Sequence, residues 1–515
     1  VSRAKATKSA KRQMSAPVKA PGNRPSRQGN YSQPPFVGIG YDAIKRRGRR
    51  ATPPANTFSE DLQLRDLARR QLLSNLRDLD RNFSLAGWMV RRHLDYVATF
   101  NFRSKTGIKD LDDDINRFHR WWSLPNNCDP AGRHSLQGLT RLWEARRVLD
   151  GDVLTNRLAT GRIQTIEGDR IMTFGGPAIP FDELGIKDPE NVINGVYVDQ
   201  YGRPKSYMVF KRHPLWTGLR WDKAIPAKFA DLLGTFGRYD QVRGISALAS
   251  SANSMRDVYE SLDYAAIKGK IAQFFALAVT RAASDQFGEQ EERGGESDPD
   301  ADPDKPRYDL DLSGPGAIVD MDPGDKMEVI ESRTPSTEFQ SFTKLEIMLA
   351  LKSLDIPYCF FDESNSNYSS TRMAGMQYLE ACKAPQHEIR LLLDKQTRWR
   401  LGLAVADGEI TLPGKMTVRD LEWEYTHAGA PLYDPMREIG AAVIAINAGL
   451  SSEIREAKKL GVDVFELIDE RAAVKKYANE KGVILSTALP ANALLDPNNS
   501  TAQKQHEAEQ QSQNN

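Results

Sequence analysis

Residues 244–283 read GISALASSANSMRDVYESLDYAAIKGKIAQFFALAVTRAA, and their spacing decides the fold. From Ile245 the apolar positions fall at Leu248, Ala252, Met255, Tyr259, Leu262 and Ala266, then after a one-residue shift at Ile267, Ile271, Phe274 and Ala278. Alternating steps of three and four make one helical stripe. Forty residues at ~1.5 Å each predict a rod of roughly 60 Å, longer than an ordinary globular helix. The pattern then stops, and residues 284–335 carry 16 acidic side chains against 5 basic ones. Among the acids are Glu289, Glu291, Glu292, Glu296, Asp298, Asp300, Asp302 and Asp304. A second helix is expected after Thr334, a capping residue, and Pro335, which suits a first helical position. It uses Phe339, Phe342, Leu345 and Leu349, with Ile347, Leu351 and Leu354 alongside, and stops before Pro357. Two such helices must lie antiparallel, with the acidic segment projecting from their far end as a docking surface.

The 515 residues allow two to four domains and an ample core. A net charge of +1 gives no global field toward nucleic acid or membrane. Charge is nevertheless segregated: residues 1–50 hold 13 Lys and Arg against the single Asp42. Cys128, Cys359 and Cys382 are scattered, which argues for a reducing compartment rather than a disulfide framework. No run approaches 18 consecutive apolar residues, so no membrane-spanning helix is expected. The basic N-terminus lacks the apolar core of a secretory signal.

Taken in order, residues 1–57 read as a disordered basic arm, whose Lys45, Arg46, Arg47, Arg49 and Arg50 suit nucleic acid or an acidic partner. Ser59–Glu60–Asp61 opens a helix through Leu62, Leu64, Leu67, Leu72, Leu73, Leu76 and Leu79, with Arg65, Arg69, Arg70, Arg77 and Arg81 on a solvated face. Residues 111–150 read as helical, with Phe118, Trp121, Trp122 and Trp143 in the core and a break at 126–130. Strands are expected at 153–158, 162–166, 192–198 and 206–210, giving a compact α+β region before the long helix. Residues 362–370 form an Asn/Ser-rich loop. Ser369, Ser370 or Thr371 caps a helix that runs through Trp399 and kinks at Pro385. Pro435 and Glu438 head a smaller helical section with a stop at Gly449, and residues 491–515 read as a disordered polar tail.

No enzyme signature emerges. The nearest approach to a phosphate loop, Gly408 to Gly414–Lys415–Met416, is one residue too long and has Met416 where a magnesium-binding hydroxyl belongs. There is no Gly-x-Ser-x-Gly elbow, His-Glu-x-x-His or Cys-x-x-Cys pair. His93, His119, His134 and the His387–Glu388 pair read as structural or surface groups. The acidic run 289–304 lacks calcium-loop spacing. No catalytic residue, metal or cofactor is expected.

An ordered string of short segments does carry information. It comprises Tyr41–Asp42–Ala43; Leu76–Arg77–Asp78–Leu79–Asp80–Arg81–Asn82; Cys128–Asp129–Pro130–Ala131–Gly132; and Leu149–Asp150–Gly151–Asp152. It continues with 195–204, Gln241–Val242–Arg243–Gly244–Ile245, Asn367–Tyr368–Ser369–Ser370–Thr371–Arg372 and Asp434–Pro435–Met436–Arg437–Glu438. Over residues 40–485 the chain resembles the lambda-type portal proteins of tailed double-stranded DNA bacteriophages. The resemblance implies an α+β portal fold assembled as a twelve-subunit ring at one vertex of the capsid. A mixed α/β wing would span 58–240, antiparallel stem helices 241–283 and 336–356, the acidic clip 284–335, and a helical crown 431–490. Residues 357–430 would hold the tunnel loop and the kinked wing helix. Asp362, Glu363, Ser364, Asn365, Ser366, Asn367, Tyr368, Ser369 and Ser370 correspond in position to the family's tunnel loop, beside passing DNA. The implied partners are further copies of the chain, double-stranded DNA bound without sequence preference, the terminase large subunit, the head-completion protein that replaces it, and the major capsid and scaffolding proteins.

A DNA conduit must not hold its cargo, because phosphate contacts from Lys and Arg accumulate affinity. The 362–370 stretch has two acids and no bases, as a non-adhesive collar requires. Lys268, Lys270, Lys344 and Lys352 are the candidates for stem residues facing DNA, the alternative for each being the solvated stem exterior. The acidic clip suits basic surfaces on the terminase and the head-completion protein. Two other readings are a nucleic-acid-binding capsid scaffold acting through its basic arm, and a packaging enzyme. The expected location is the virion, after assembly in the host cytoplasm.

Overall fold

The structure, a computed structural model, describes Tyr41 and residues 57–173, 179–213, 218–274, 277–281, 325–329, 336–362, 364, 368–427, 429 and 434–483. The basic residues Lys45 to Arg50, the acidic residues Glu289 to Asp304 and the 491–515 tail lie outside that set.

Helices Asp66–Asn82, Ser84–Val97 and Leu136–Asp150 build the main core, where Leu72, Leu76, Met89 and Trp143 are buried. Helix Leu136–Asp150 begins where the Ser135 hydroxyl accepts the Gly138 N–H at 3.1 Å, and it stops at Gly151, whose φ of 91° ends the helical path. Three strands follow in the antiparallel order Ile163–Glu167, Asp152–Arg157, Ala230–Gly234. A second antiparallel sheet runs Val192–Ile193, Val196–Val198, Pro204–Arg212, Leu219–Pro226, with cores on both faces. Strand Phe100–Ser104 pairs with the distant Trp423–His427, tying the first third of the chain to the last. The fold is α+β, and the paired strands described are antiparallel.

The pivotal stretch is shorter as a helix than its periodicity predicts. Residues Ala247–Ser250 form a 3-10 turn, and the α-helix occupies Ala252–Phe274, 23 residues. It gives way to strand Leu277–Arg281, which pairs antiparallel with Asp325–Val329 and so closes the base of the acidic segment. Val279 and Thr280 are β-branched and strand-forming, and the helical stripe only happened to reach Ala278 beside them. The second helix is Thr337–Leu351, and its cap is Ser336 rather than Thr334: the Ser336 hydroxyl accepts the Phe339 N–H at 3.2 Å. Met255 and Val258 share a core with Ile347, Ala350 and Leu351, so the two helices form the expected antiparallel hairpin.

Other expectations change in detail. The helix after the 362–370 loop starts at Tyr368, so Ser369, Ser370 and Thr371 lie inside it, and it runs 39 residues to Ala406 through Pro385. The first arginine face is not all solvated. Arg69 is buried and donates to the Gly244 carbonyl at 2.5 Å, while Arg77 reaches Asp150 at 2.8 Å, Glu167 at 3.2 Å and Asp169 at 3.5 Å. Trp121, assigned to the core, is exposed, with the Arg400 guanidinium 5.8 Å from its ring. Strands Phe100–Ser104, Leu219–Pro226, Ala230–Gly234 and Trp423–His427 were not foreseen. The final section folds as helices Pro435–Asn447, Glu453–Lys459 and Val464–Glu480, with Gly449 at φ 73° after the first.

Candidate functional site: hairpin, loop and the hub that aims them

The hairpin is launched from a buried ionic hub. Arg243 is fully buried, and its five N–H donors are all used. Nε and one terminal nitrogen grip Asp152 at 2.7 and 2.8 Å. The remaining donors reach the carbonyls of Ile171 at 2.7 Å, Asn194 at 2.7 Å and Gly168 at 2.8 Å. Asp152 also accepts the Gly244 N–H at 2.8 Å, and Asp61 accepts the Val242 N–H at 2.7 Å. Five chain segments thus meet at one guanidinium. Gly244 and Gly151 touch there: a Cβ on Gly244 would lie 2.0 Å from the Gly151 carbonyl oxygen. The sequence segments around Asp150–Gly151–Asp152, Gly195 and Gln241–Val242–Arg243–Gly244 converge on this hub, which is architecture and not a reaction centre.

Beyond the hub the hairpin is bare. Ala252, Met255 and Val258 are buried at its base, as are Ile347, Ala350 and Leu351. Higher up, Leu262, Tyr264, Ile267, Phe342 and Leu345 are exposed, Phe342 at 55% and Leu345 at 50%, and Leu349 is exposed on the outer side of the base. One partner helix cannot cover apolar residues spread around both rods.

The four lysines do not act alike. Lys268 and Lys270 are exposed on Ala252–Phe274, but two residues apart on a helix means ~200° of rotation, so they address different sides. Lys344 and Lys352 are exposed on the returning helix and at its end. Lys344 Nζ lies 3.8 Å from Asp362, which joins the hairpin to the loop. Asp362 also accepts the Ser364 N–H at 3.1 Å and the Tyr358 hydroxyl at 3.3 Å. Hydrogen bonds from Ser364, side chain first and then backbone, hold its carboxyl below the usual range. Ser364, Ser369 and Ser370 are exposed, and Tyr368 begins the long helix. Glu363, Asn365, Ser366 and Asn367 lie outside the described residues, as do Glu289, Glu291, Glu292, Glu296, Asp298, Asp300, Asp302 and Asp304.

A contact that sequence reasoning missed links the last two segments. Arg372, near the head of the long helix, lies 3.5 Å from Glu438 on Pro435–Asn447. That helix is capped by Asp434, which accepts the Arg437 N–H at 3.2 Å. Opposite charges in both segments were the available signal. Among the described residues no group of His, Cys, Asp and Glu could hold a metal, and no helix is long and apolar enough to cross a membrane.

Comparison with known families resolves what this framework is. Residues 45–386 match the family described as "Phage portal protein, lambda family". The chain belongs to that family. Portal proteins of this family are structural and not enzymatic, so the chain is not an enzyme. No functionally curated protein matches it. Solved structures to which it is similar include the virion of a native gene transfer agent particle, at 12% identity and a TM-score of 0.44, covering 76% of this chain and 94% of that one. The neck of the native particle, computed with C12 symmetry, gives 11% identity and 0.42, covering 76% and 93%. The neck of the empty particle, computed with C6 symmetry, gives 12% and 0.42, covering 75% and 94%.

Proposed function

We propose that copies of this chain associate head-to-tail into a ring at one vertex of a phage capsid, and that the hairpins wall a channel through which double-stranded DNA enters during packaging and leaves during ejection. The observation that carries the reading, beside membership of the portal family, is the hairpin itself: a protruding helical pair with apolar side chains exposed on both rods. A heterologous interface that repeats by rotation closes into a ring and covers both sides of each hairpin with the neighbouring copies. In this reading residues 58–240 act as wing, 241–283 and 336–356 as stem, 284–335 as clip, 357–430 as tunnel loop and wing helix, and 431–490 as crown, in a ring of twelve.

The acidic segment then faces outward from the stem and docks basic surfaces, first on the terminase large subunit and later on the head-completion protein. The loop around Asp362 lies where DNA passes. Its Lys344–Asp362 pair neutralises a lysine that would otherwise grip phosphate. Capsid and scaffolding proteins contact the outer wing. Electron microscopy of the purified chain tests the reading: a ring with twelve-fold symmetry and a central hole wide enough for a duplex is expected, and a compact monomer at all concentrations refutes it.

A further inference from the structure

The C-terminal helices Pro435–Asn447, Glu453–Lys459 and Val464–Glu480 stand against the strand pair Phe100–Ser104 and Trp423–His427 without sharing its core. Among the described residues, none of the four apolar clusters includes a side chain beyond Tyr425. Within the three helices only Ala457 and Ala478 are buried. Two methyl groups bring little of the apolar burial that usually fastens one part of a fold to another.

Charge does the joining instead. Arg103 on the first strand lies 3.1 Å from Asp463 and 3.5 Å from Glu466. Lys105 Nζ lies 2.5 Å from Glu424 on the second strand and 3.4 Å from Asp463. Lys458 reaches the same Glu424 from the helical side at 2.7 Å. Three cations and three carboxylates thus meet along one seam, and four of their five pairs cross it. Burial resists the charge on Glu424, but hydrogen bonds from Lys105 and then Lys458 hold its carboxyl below the usual range. Water reaches the seam: the side chains of Lys105 and Lys458 are 34% and 40% exposed. Elsewhere the contact is polar or backbone. Asn101 donates to the Gly461 carbonyl at 3.2 Å, and a Cβ on Gly429 would lie 2.1 Å from the Leu460 carbonyl carbon. Arg372 and Glu438 add an ion pair at 3.5 Å. Pairs with this access to water weaken with salt, as the Debye length falls from ~10 Å at 0.1 M to ~3 Å at 1 M. Apolar contacts carry no charge to screen and do not loosen in this way.

We propose that this seam is an ionic latch, which holds the C-terminal helices against the body of the chain at low ionic strength and releases them as a unit when ionic strength rises. The strand pair keeps its own core, so the helices change stance while the sheet stays put. The latch belongs to the single chain and stands or falls independently of ring assembly.

Nitroxide labels test it. One is placed at Asp114→Cys on helix Lys109–Trp122, whose Leu111 and Ile115 share a core with Phe102 of the first strand. The other is placed at Glu470→Cys on Val464–Glu480, and both sites are exposed. Cys359→Ser removes the partly exposed thiol, while Cys128 and Cys382 are buried. Labelled full-length chain is diluted with excess unlabelled chain, so pulsed electron resonance reads distances within one copy. One narrow distance distribution is expected in 0.1 M KCl. A longer, broader population grows on the order of ten-fold in 1 M KCl and not in 1 M sucrose. Lys458→Glu opposes Glu424 and brings out the long population already at 0.1 M. Lys459→Gln, one residue on, removes a charge that pairs with Glu456 on its own helix at 2.8 Å and leaves the distribution as in the parent. Both substitutions fall on exposed helix surface, so circular dichroism is unchanged. Superimposable distributions at the two salt concentrations, or equal effects of the Lys458 and Lys459 variants, overturn the proposal.

Discussion

Replacing Arg243 with methionine keeps the bulk of the side chain and removes its charge and all five donors. Asp152 is then buried with only the Gly244 N–H for company, and the carbonyls of Gly168, Ile171 and Asn194 lose their shared donor. Removing one partner of a buried pair costs roughly 3–5 kcal/mol, because the other charge stays behind unmatched. The Gly168 carbonyl keeps the Ile171 N–H at 3.2 Å; a carbonyl left without any donor adds about 1–3 kcal/mol where water cannot reach it, although the contributions overlap and do not sum. Against a total stability of about 5–15 kcal/mol, a loss near the lower figure already matters. At roughly 2–4 °C per kcal/mol for a domain of this size, the unfolding midpoint falls by on the order of 10 °C. Differential scanning fluorimetry of the single chain measures it, with limited proteolysis reporting whether the hairpin detaches. Arg243→Lys discriminates charge from geometry: it restores a cation but supplies three donors where five are used, so it recovers only part of the loss. A methionine variant melting within about 2 °C of the parent, or a lysine variant equal to it, refutes the assignment of the hub.

Further outcomes follow from other sites. Gly244→Ala drives a Cβ into the Gly151 carbonyl, which being backbone cannot swing aside, and a loss of about 1–3 kcal/mol in denaturant titration is expected. His119 is stacked 3.7 Å from Phe102, and burial draws its pKa down to about 3. The unfolded chain titrates near 6.5, so it takes up the proton first; stability is whole above that pH and is lost as pH falls from ~6.5 toward 3, by on the order of several kcal/mol. His119→Gln flattens that slope in melts recorded across the range. Leu345→Glu with Leu349→Glu alters side chains exposed in the single chain, so the monomer melts as before. Ring formation weakens, by roughly 2 kcal/mol or about 30-fold for each leucine at each interface, as sedimentation velocity reports. Arg372→Ala removes a half-buried ion pair with Glu438 and costs on the order of 1 kcal/mol in the same melts.

Much of this was legible in the chain. Periodicity places both hairpin helices and their antiparallel return, because an apolar stripe shows whichever partner later covers it. The boundaries were not legible: the stripe continues to Ala278, inside Leu277–Arg281, where strand pairing with Asp325–Val329 overrides the helical pattern. Nor could spacing show that Trp423–His427 would find Phe100–Ser104, since pairing across such a separation depends on the finished core. Arg69 and Arg77 were misread for a related reason. A charged helix face looks solvated until its carboxylate and carbonyl partners, distant in sequence, are folded against it. For the candidate site the sequence supplied Lys344 and Asp362 separately, and only the fold makes them neighbours.

The hub around Arg243 has a consequence for descent. With every donor committed, no participant can change alone without stranding another, whereas the rods and their tips need only keep a general character. Drift is therefore free to erase resemblance along most of the polypeptide while a few scattered scraps stay legible, and kinship is best read from those scraps even where the outer surfaces have diverged past recognition.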